Sequence, residues 1–254
     1  MNKRLIFCLL YKEGFFQLSR NFNLQTVGNL KWIQNNFSFN ITCKNIDELI
    51  IIHAKDNPSK EEKKKFLSTV NNLRKKIFIP LSIGGGIRNM DDAKNYFDIG
   101  ADKVILNTSF YDEKLVRILS NNYGSQSISA MIDYKLKKNK KYIYTNSGSI
   151  SNKWFKNYSL LNFQKNNFGD LIFNSIDRDG TGQGLDLSIL KSLSKIKNPI
   201  ILMGGSGKPE HIVQALKLKD IDGVCTSNIF NFLGNGLHLV RKKLFEMKIN
   251  IANF

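Results

Sequence analysis

The sequence predicts an α/β fold in which eight parallel strands alternate with helices and close into a barrel. First, short apolar runs rich in β-branched residues recur eight times within 254 residues. Second, these runs do not alternate strictly between apolar and polar residues, as expected for strands that are buried on both faces. Third, most runs are followed by a stretch with helical spacing of apolar residues. An open doubly wound sheet is the alternative, and the lack of an early G-x-G-x-x-G motif argues against it.

The candidate strands are short and spread along the whole chain. They are residues 5–10, 49–52, 78–83, 103–107, 128–133, 171–176, 199–203 and 224–229. Helical spacing begins at Asn89, recurs in residues 185–196 as one stripe of four apolar residues, and begins again at Pro209, a residue that suits a first helical turn. Residues 134–157 are lysine-rich and predict an excursion with a small hairpin, so we expect residues 1–254 to form one domain.

An internal repeat supports this prediction. Residues 78–110 are similar to residues 198–230, with Gly84 matching Gly204 and Asp102 matching Asp222, each at an offset of 120 positions. Because this offset is close to half the chain, two similar half-barrels of four strand–helix units each explain it. The predicted fold is therefore a (β/α)₈ TIM barrel built of two similar halves.

The amino-acid composition indicates which kinds of binding partner and which cellular compartment to expect. The chain has 38 Lys+Arg against 21 Asp+Glu, a net charge of +17, but its lysines form no single stripe and accompany no nucleic-acid motif. We therefore expect no nucleic-acid partner. The positive net charge is explained either by drift of the composition toward lysine or by binding of a phosphorylated ligand. No apolar run reaches the roughly 18 residues of a membrane span, so no membrane partner is expected. Three widely spaced cysteines are typical of a reducing cytoplasm.

The segments that follow the candidate strands predict anion binding, because the active site of such a barrel lies at the carboxyl ends of its strands. Glycine-rich turns follow the third and seventh strands, at residues 84–86 and 204–207. Backbone N–H groups in such turns approach phosphate oxygens closely. Asn107-Thr108 and Ser227-Asn228 follow the fourth and eighth strands and add hydrogen-bond donors. Two matched sets of this kind predict a bisphosphorylated substrate.

Carboxylates and histidines at the same strand ends are candidates for proton transfer. Asp133 ends the fifth strand and is a candidate general acid or base, the alternative being a helix N-cap or a surface aspartate. Asp177 and Asp179 follow the sixth strand, either as acid–base groups or as residues that orient a phosphate-binding loop. His53 ends the second strand and is a candidate for facing the pocket, whereas His211 is expected to be structural. The histidine spacing predicts no metal site, and no cofactor is expected.

Charged residues also occur at or beside the starts of four candidate strands. They are Arg4, Glu48, Lys103 and Asp170. Such residues usually form a solvated rim, but a ring of alternating sign is also suited to gating a passage along the barrel axis.

Several segments together resemble one known family. The segments "IGGGIR", "GADKVILNTS", "YGSQ", "NSIDRDGTGQG" and "GGSGKPEH" are similar to the cyclase subunit of imidazole glycerol phosphate synthase, an enzyme of histidine biosynthesis. The resemblance covers nearly the whole chain in order, and "SIDRDGT" is a specific motif. It implies a (β/α)₈ barrel that docks a glutaminase subunit on its N-terminal face. Ammonia would pass along the barrel axis and react with a bisphosphorylated ribulosyl-formimino aminoimidazole carboxamide nucleotide, giving imidazole glycerol phosphate and an aminoimidazole carboxamide ribotide.

The resemblance also implies roles for individual residues. Asp133 falls on one of two essential aspartates of the family. One phosphate would be held by Gly86, Asn107 and Thr108, and the other by Asp179, Gly180, Gly205, Ser227 and Asn228. The ammonia gate would consist of Arg4, Glu48, Lys103 and Asp170, where Asp170 replaces a glutamate.

The sequence departs from the family at three positions. Leu10 stands where the family has its other essential aspartate, Leu18 replaces the lysine of a mobile loop, and His53 replaces an aspartate of the second strand. The "CLL" version of the first strand resembles paralogues linked to acetamidino modification of surface sugars. Two interpretations therefore remain: a cyclase with impaired ring closure, or an ammonia-conducting barrel that, with its glutaminase, feeds a separate sugar amidotransferase. A sugar-phosphate isomerase on the same half-barrel plan is a third and less supported interpretation.

Overall fold

The structure is a computed structural model, which describes residues 2–36, 42–138, 140–154, 168–193, 196–227 and 235–252. Its strands are β1 (Arg4–Lys12), β2 (Phe15–Arg20), β3 (Asn23–Gly28), β4 (Glu48–His53), β5 (Leu81–Gly84), β6 (Lys103–Leu106), β7 (Ile128–Lys137), β8 (Lys140–Thr145), β9 (Ile150–Trp154), β10 (Asp170–Ser175), β11 (Ile200–Met203) and β12 (Gly223–Thr226). Its α-helices are α1 (Leu30–Asn36), α2 (Lys60–Arg74), α3 (Met90–Asp98), α4 (Glu113–Tyr123), α5 (Pro209–Leu216) and α6 (Gly236–Glu246).

Eight of these strands close into a parallel barrel, which confirms the predicted (β/α)₈ fold. Their order around the barrel is β1, β4, β5, β6, β7, β10, β11, β12, and β12 pairs with β1 to close the circle. Alternate residues of a strand face opposite sides, so Leu5, Phe7 and Leu9 join the layer beneath the helices, while Ile6 and Cys8 belong to a separate apolar cluster. That second cluster fills the barrel interior.

The two halves of the barrel repeat a device that joins neighbouring strands. Asp102 Oδ2 accepts a hydrogen bond from Leu81 N (2.8 Å), and its counterpart Asp222 accepts one from Ile200 N (2.9 Å). The aspartate match in the sequence repeat therefore reflects one structural role in both halves. Because an aspartate side chain bonds readily to nearby backbone N–H groups, it holds the start of the preceding strand in place.

Two antiparallel hairpins extend the barrel strands beyond its rim. β1 continues into β2 and β3, a hairpin that the sequence analysis did not predict, and β7 continues into β8 and β9, within the predicted excursion. Both turns of the first hairpin use left-handed backbone conformations, at Glu13 and Gly14 and then at Asn21 and Phe22. Paired residues with positive φ are typical of tight turns whose twist matches that of the flanking strands.

Two predicted elements differ from the structure. The third strand begins at Leu81 rather than at Phe78, because Arg74 holds the carbonyls of Ile77 and Ile79 in a loop that leaves Phe78 90% exposed. Within the predicted helical stretch over residues 185–196, Leu187–Ser192 forms a 3₁₀ helix, and residues 194–195 lie outside the described part of the chain. The first turn of this 3₁₀ helix is held by Asp186, whose side chain accepts from both the backbone and the hydroxyl of Ser188 and so competes with α-helical bonding.

Two helices begin where the sequence predicts. Asn89 caps α3 by accepting a hydrogen bond from Asp92 N (2.9 Å), and Pro209 occupies the first turn of α5. Among the described residues, no helix combines the length and the apolar character needed to cross a membrane.

Candidate active site and charged ring

The carboxyl ends of the barrel strands enclose a cavity of about 150 Å³. Asp133, Asn107 and Asn174 provide its polar floor, and Leu10 and Met131 are among its apolar lining residues. Asp133 lies on β7 and Leu10 on β1, and the two residues line the same space. Leu10 is the residue for which the resemblance implies an aspartate in the family.

Asp133 is held rigidly within this cavity. Its Oδ1 accepts a hydrogen bond from Asn174 Nδ2 (2.9 Å) and its Oδ2 accepts one from Asn107 Nδ2 (2.9 Å). Burial raises the pKa of Asp133 to about 7, while the two amide donors lower it and the nearby charge of Asp179 raises it. A carboxyl group that titrates close to neutral pH is suited to both giving and accepting protons.

The two glycine turns share one backbone feature, since the matching residues Gly85 and Gly205 both have φ of +97°. They differ one position earlier, where Gly204 has φ of +94° and Gly84 has no positive φ. Side chains cannot replace either hydrogen, because a Cβ would lie 2.2 Å from His53 O at Gly85 and 2.3 Å from Gly184 O at Gly205. Gly86, Asn107 and Thr108 line the first cavity. A smaller second cavity is lined by the remaining described candidates for phosphate binding, which are Asp179, Gly180, Gly205 and Ser227. Asn228 lies outside the described residues.

The first hairpin covers the point where the two cavities meet. Ser19, Asp179 and Met203 line both cavities. Ser19 Oγ donates to Asp179 Oδ2 (2.5 Å), and Phe22 N donates to the same oxygen (3.1 Å). Asn21 Nδ2 adds hydrogen bonds to the carbonyls of Ile176 and Asp177, both at 3.0 Å. The turn after β10 therefore holds the hairpin over the mouth of the barrel.

Some candidate side chains lie elsewhere than the sequence analysis expected. His53 is among the residues that line the cavity, but its ring stacks on Phe66 of α2 at 4.5 Å, in the layer between strands and helices. This placement follows from strand alternation, because Ile52 takes the inward position and the next side chain points outward. Burial lowers the pKa of His53 to about 4. The expectation that His53 faces the pocket is therefore wrong for its side chain.

Other candidates bond to the backbone or to neighbouring loops. Asp177 accepts a hydrogen bond from Leu136 N (2.7 Å) and lines neither cavity. His211 Nδ1 accepts from Gly207 N (3.3 Å), a bond that supports the second glycine turn. Thr108 Oγ1 bonds to Asn146, which anchors the turn between β8 and β9 over the first cavity. Among the described residues, no group of three or more His, Cys, Asp and Glu side chains is arranged to hold a metal ion.

Asn174 and Ser19 belong to the site but were not predicted from the sequence. Asn174 donates a hydrogen bond to Asp133. Its inward direction was predictable from Asp170, because residues 170, 172 and 174 of one strand share a face. Ser19 was missed because the hairpin was missed. Its signal was a turn sequence, Lys12-Glu13-Gly14, followed by a run rich in β-forming residues.

The opposite end of the barrel carries a closed ring of four charges. Arg4 bonds to Asp170 (2.6 Å) and to Glu48 (3.2 Å), and Lys103 bonds to Asp170 (2.5 Å) and lies 3.7 Å from Glu48. Burial raises the pKa of Asp170, but the hydrogen bonds and charges of Arg4 and Lys103 outweigh it, so that the pKa is lowered and the group stays ionised. The four residues thus form one alternating ring across the barrel, rather than separate solvated side chains.

Comparison with known proteins places this geometry in a family. Residues 43–234 match the family described as histidine biosynthesis protein. The imidazole glycerol phosphate synthase subunit hisF2 of Parasynechococcus marenigrum is 40% identical over 243 residues, which cover 95% of this chain and 90% of that protein. The HisF subunit of Exiguobacterium sp. is 34% identical over 228 residues, covering 87% and 85% of the two chains. The hisF2 subunit of Campylobacter jejuni is 31% identical over 235 residues, covering 91% of each.

Each match spans most of this chain and most of the relative. The structure agrees with these matches, since it is an eight-stranded barrel with a buried aspartate at one mouth. The chain therefore belongs to the histidine biosynthesis protein family, as a HisF-type subunit of imidazole glycerol phosphate synthase.

Proposed function

We propose that this protein uses ammonia from a glutaminase partner on a bisphosphorylated ribulosyl-formimino nucleotide, and that it closes the imidazole ring slowly. One observation carries the proposal: Leu10 and Asp133 line the same cavity, so that a single carboxylate stands where the family uses two. A leucine side chain transfers no proton, and the loss of one acid–base group typically slows a reaction by about 10²–10⁴-fold.

The direct test supplies ammonium and the bisphosphorylated nucleotide to the purified protein and follows imidazole glycerol phosphate. We expect turnover to be very slow, because only one of the family's two carboxylates is present. Turnover at the rate of a HisF protein that has both aspartates, measured in parallel, would contradict the proposal.

Phosphate recognition at two places is the second part of the proposal. The two cavities each contain a turn with a left-handed glycine, and they meet at shared residues, an arrangement suited to one ligand with a phosphate at each end.

Gly205→Ala is expected to remove one of these two sites. Its Cβ would collide with Gly184 O, so the second turn must move, at a cost of roughly 1–3 kcal/mol for a strained backbone position. Calorimetric titration with inorganic phosphate should give two sites in the wild type and one in the variant. Two sites of unchanged affinity in the variant would show that this turn binds no phosphate.

The charged ring supports the proposal that a glutaminase docks at the strand starts and delivers ammonia along the axis. Its four members are buried or half-buried at the end of the barrel opposite the cavity, as a gate between a partner and the interior requires.

Lys103→Glu is expected to abolish ammonia transfer from the glutaminase. The change replaces a bond to Asp170 with repulsion from two carboxylates, and disrupting a buried ion pair costs about 3–5 kcal/mol. The ratio of glutamine-dependent to ammonium-dependent turnover is the readout. Lys94→Glu is the control, since Lys94 lies on α3 and pairs with Asp98 at the surface. An unchanged ratio in Lys103→Glu would rule out the gate.

A second candidate function is favoured by the same leucine together with the complete ring. In that case the barrel would conduct ammonia and release it to a sugar amidotransferase, without ring closure of its own. Glutamine hydrolysis by the complex that yields no imidazole product, even at long times, would favour this alternative over a slow cyclase.

A further inference from the structure

Asp179 occupies the junction of the two cavities. It lines both of them, together with Ser19 and Met203, whereas Asp133 lines the first cavity only. A ligand that places one phosphate near each glycine turn must pass this junction with its central part. Asp179 and Asp133 both line the first cavity, so both carboxyl groups are available to the central part of such a ligand.

The two oxygens of Asp179 have different roles. Oδ2 accepts both hydrogen bonds from the hairpin, from Ser19 Oγ and from Phe22 N, while Oδ1 accepts none from the described residues. Burial raises the pKa of Asp179, and the two donors partly offset this. A carboxylate repels a phosphate, so this side chain is poorly suited to the phosphate-binding role that the family resemblance implies for it.

Other ionisable groups near the cavity fit the missing role less well. Asp177 bonds to Leu136 N outside both cavities, and the ring of His53 faces away from the barrel. Lys55, Asp56 and Arg88 also line the first cavity, but none of them lines the second cavity.

We propose that Asp179 is the second acid–base group of this cavity and partly replaces the carboxylate that Leu10 lacks. This inference rests on the proposed function. Burial raises the pKa of both carboxyl groups, and the charge of Asp179 raises that of Asp133 further, which favours a state in which Asp133 is protonated while Asp179 is ionised.

The pair is able to catalyse the addition of ammonia to a carbonyl group with a balanced exchange of protons. As the C–N bond forms, protonated Asp133 gives its proton to the carbonyl oxygen, and ionised Asp179 takes a proton from the new ammonium group. In the following loss of water, Asp179 returns its proton to the departing hydroxyl, and Asp133 takes a proton from nitrogen as the C=N bond forms. Both carboxyl groups then regain their starting states.

Asp179→Asn tests the proposal, with Asp177→Asn as the matched control in the same turn. The asparagine oxygen still accepts from Ser19 and Phe22, so the hairpin should stay closed, and hydrogen exchange of β2 and β3 checks that it does. We expect single-turnover cyclisation with ammonium to fall by about 10²-fold in Asp179→Asn, with little change in substrate affinity, and to be unaffected in Asp177→Asn. The titration of Asp133, followed by carbon NMR, should move to lower pH when the neighbouring charge is removed.

The outcomes separate this inference from the proposed function. A rate in Asp179→Asn within threefold of the wild type, or an unmoved titration of Asp133, overturns the role of Asp179 and leaves the slow cyclase intact. A wild-type rate too low to detect also overturns it, because an intact pair should turn over measurably. If Leu10→Asp is inactive as well, the proposed substrate itself is wrong.

Discussion

Leu10→Asp is expected to raise ammonium-dependent ring closure by about 10²-fold or more, the typical contribution of one positioned acid–base group. The new carboxylate would lie in the cavity that Asp133 already lines. Leu10 is only partly buried on the cavity wall, so the protein should accept the charged side chain there. Single-turnover measurements of imidazole glycerol phosphate formation provide the readout.

Leu10→Asn is the matched control, since it has nearly the same shape as aspartate but carries no titratable proton. We expect no gain in rate from Leu10→Asn. If both variants gained equally, the effect would come from polarity or space in the cavity, and the explanation of slow turnover by a missing carboxylate would be lost.

Asp133→Asn is expected to lower the remaining turnover by about 10²–10⁴-fold. The same change should alter how the free energy of unfolding depends on pH. The pKa of Asp133 is about 7 in the folded protein, against 3.8 for an ordinary aspartate. Between these values the folded state binds the proton more tightly than the unfolded state does. The free energy of unfolding of the wild type therefore falls as pH rises through this range, and the loss is complete above about pH 7.

Denaturant unfolding of both proteins at a series of pH values measures this effect. Relative to the wild type, Asp133→Asn should gain stability from about pH 4 to pH 8, by at most about 4 kcal/mol. Asn107 and Asn174 are able to turn their amide groups to satisfy an asparagine, so the variant should fold. A constant difference in unfolding free energy over this pH range would show that Asp133 titrates like an exposed carboxyl.

The barrel was predictable because its signals are periodic and repeated. Eight short apolar runs, the helical stretches between them and the half-chain repeat all indicate the same fold, and each signal depends only on local spacing. The strand boundaries were less predictable. Phe78 continues an apolar run in the sequence, but Arg74 binds the carbonyls on either side of it and keeps it out of the sheet.

The candidate site was predictable at the level of strand ends and not at the level of side-chain direction. Asp177 and Asp179 are two residues apart in one turn, and the sequence offered both as acid–base candidates. In the structure Asp177 bonds to the β7 backbone, whereas Asp179 bonds to Ser19 and reaches both cavities. His53 shows the same limit, because a shift of one position along β4 decides whether a side chain faces the cavity or the helices.

The sequence by itself determined the barrel and the family, because these follow from residue identity and spacing. Only the tertiary structure decided that the four charges join in one ring, that the first hairpin covers the mouth, and that Asp179 is the carboxylate at the junction of the two cavities. The physical reason is that these features depend on contacts between residues far apart in the chain. Ser19 and Asp179 are separated by 160 positions, and only barrel closure brings them within 2.5 Å of each other.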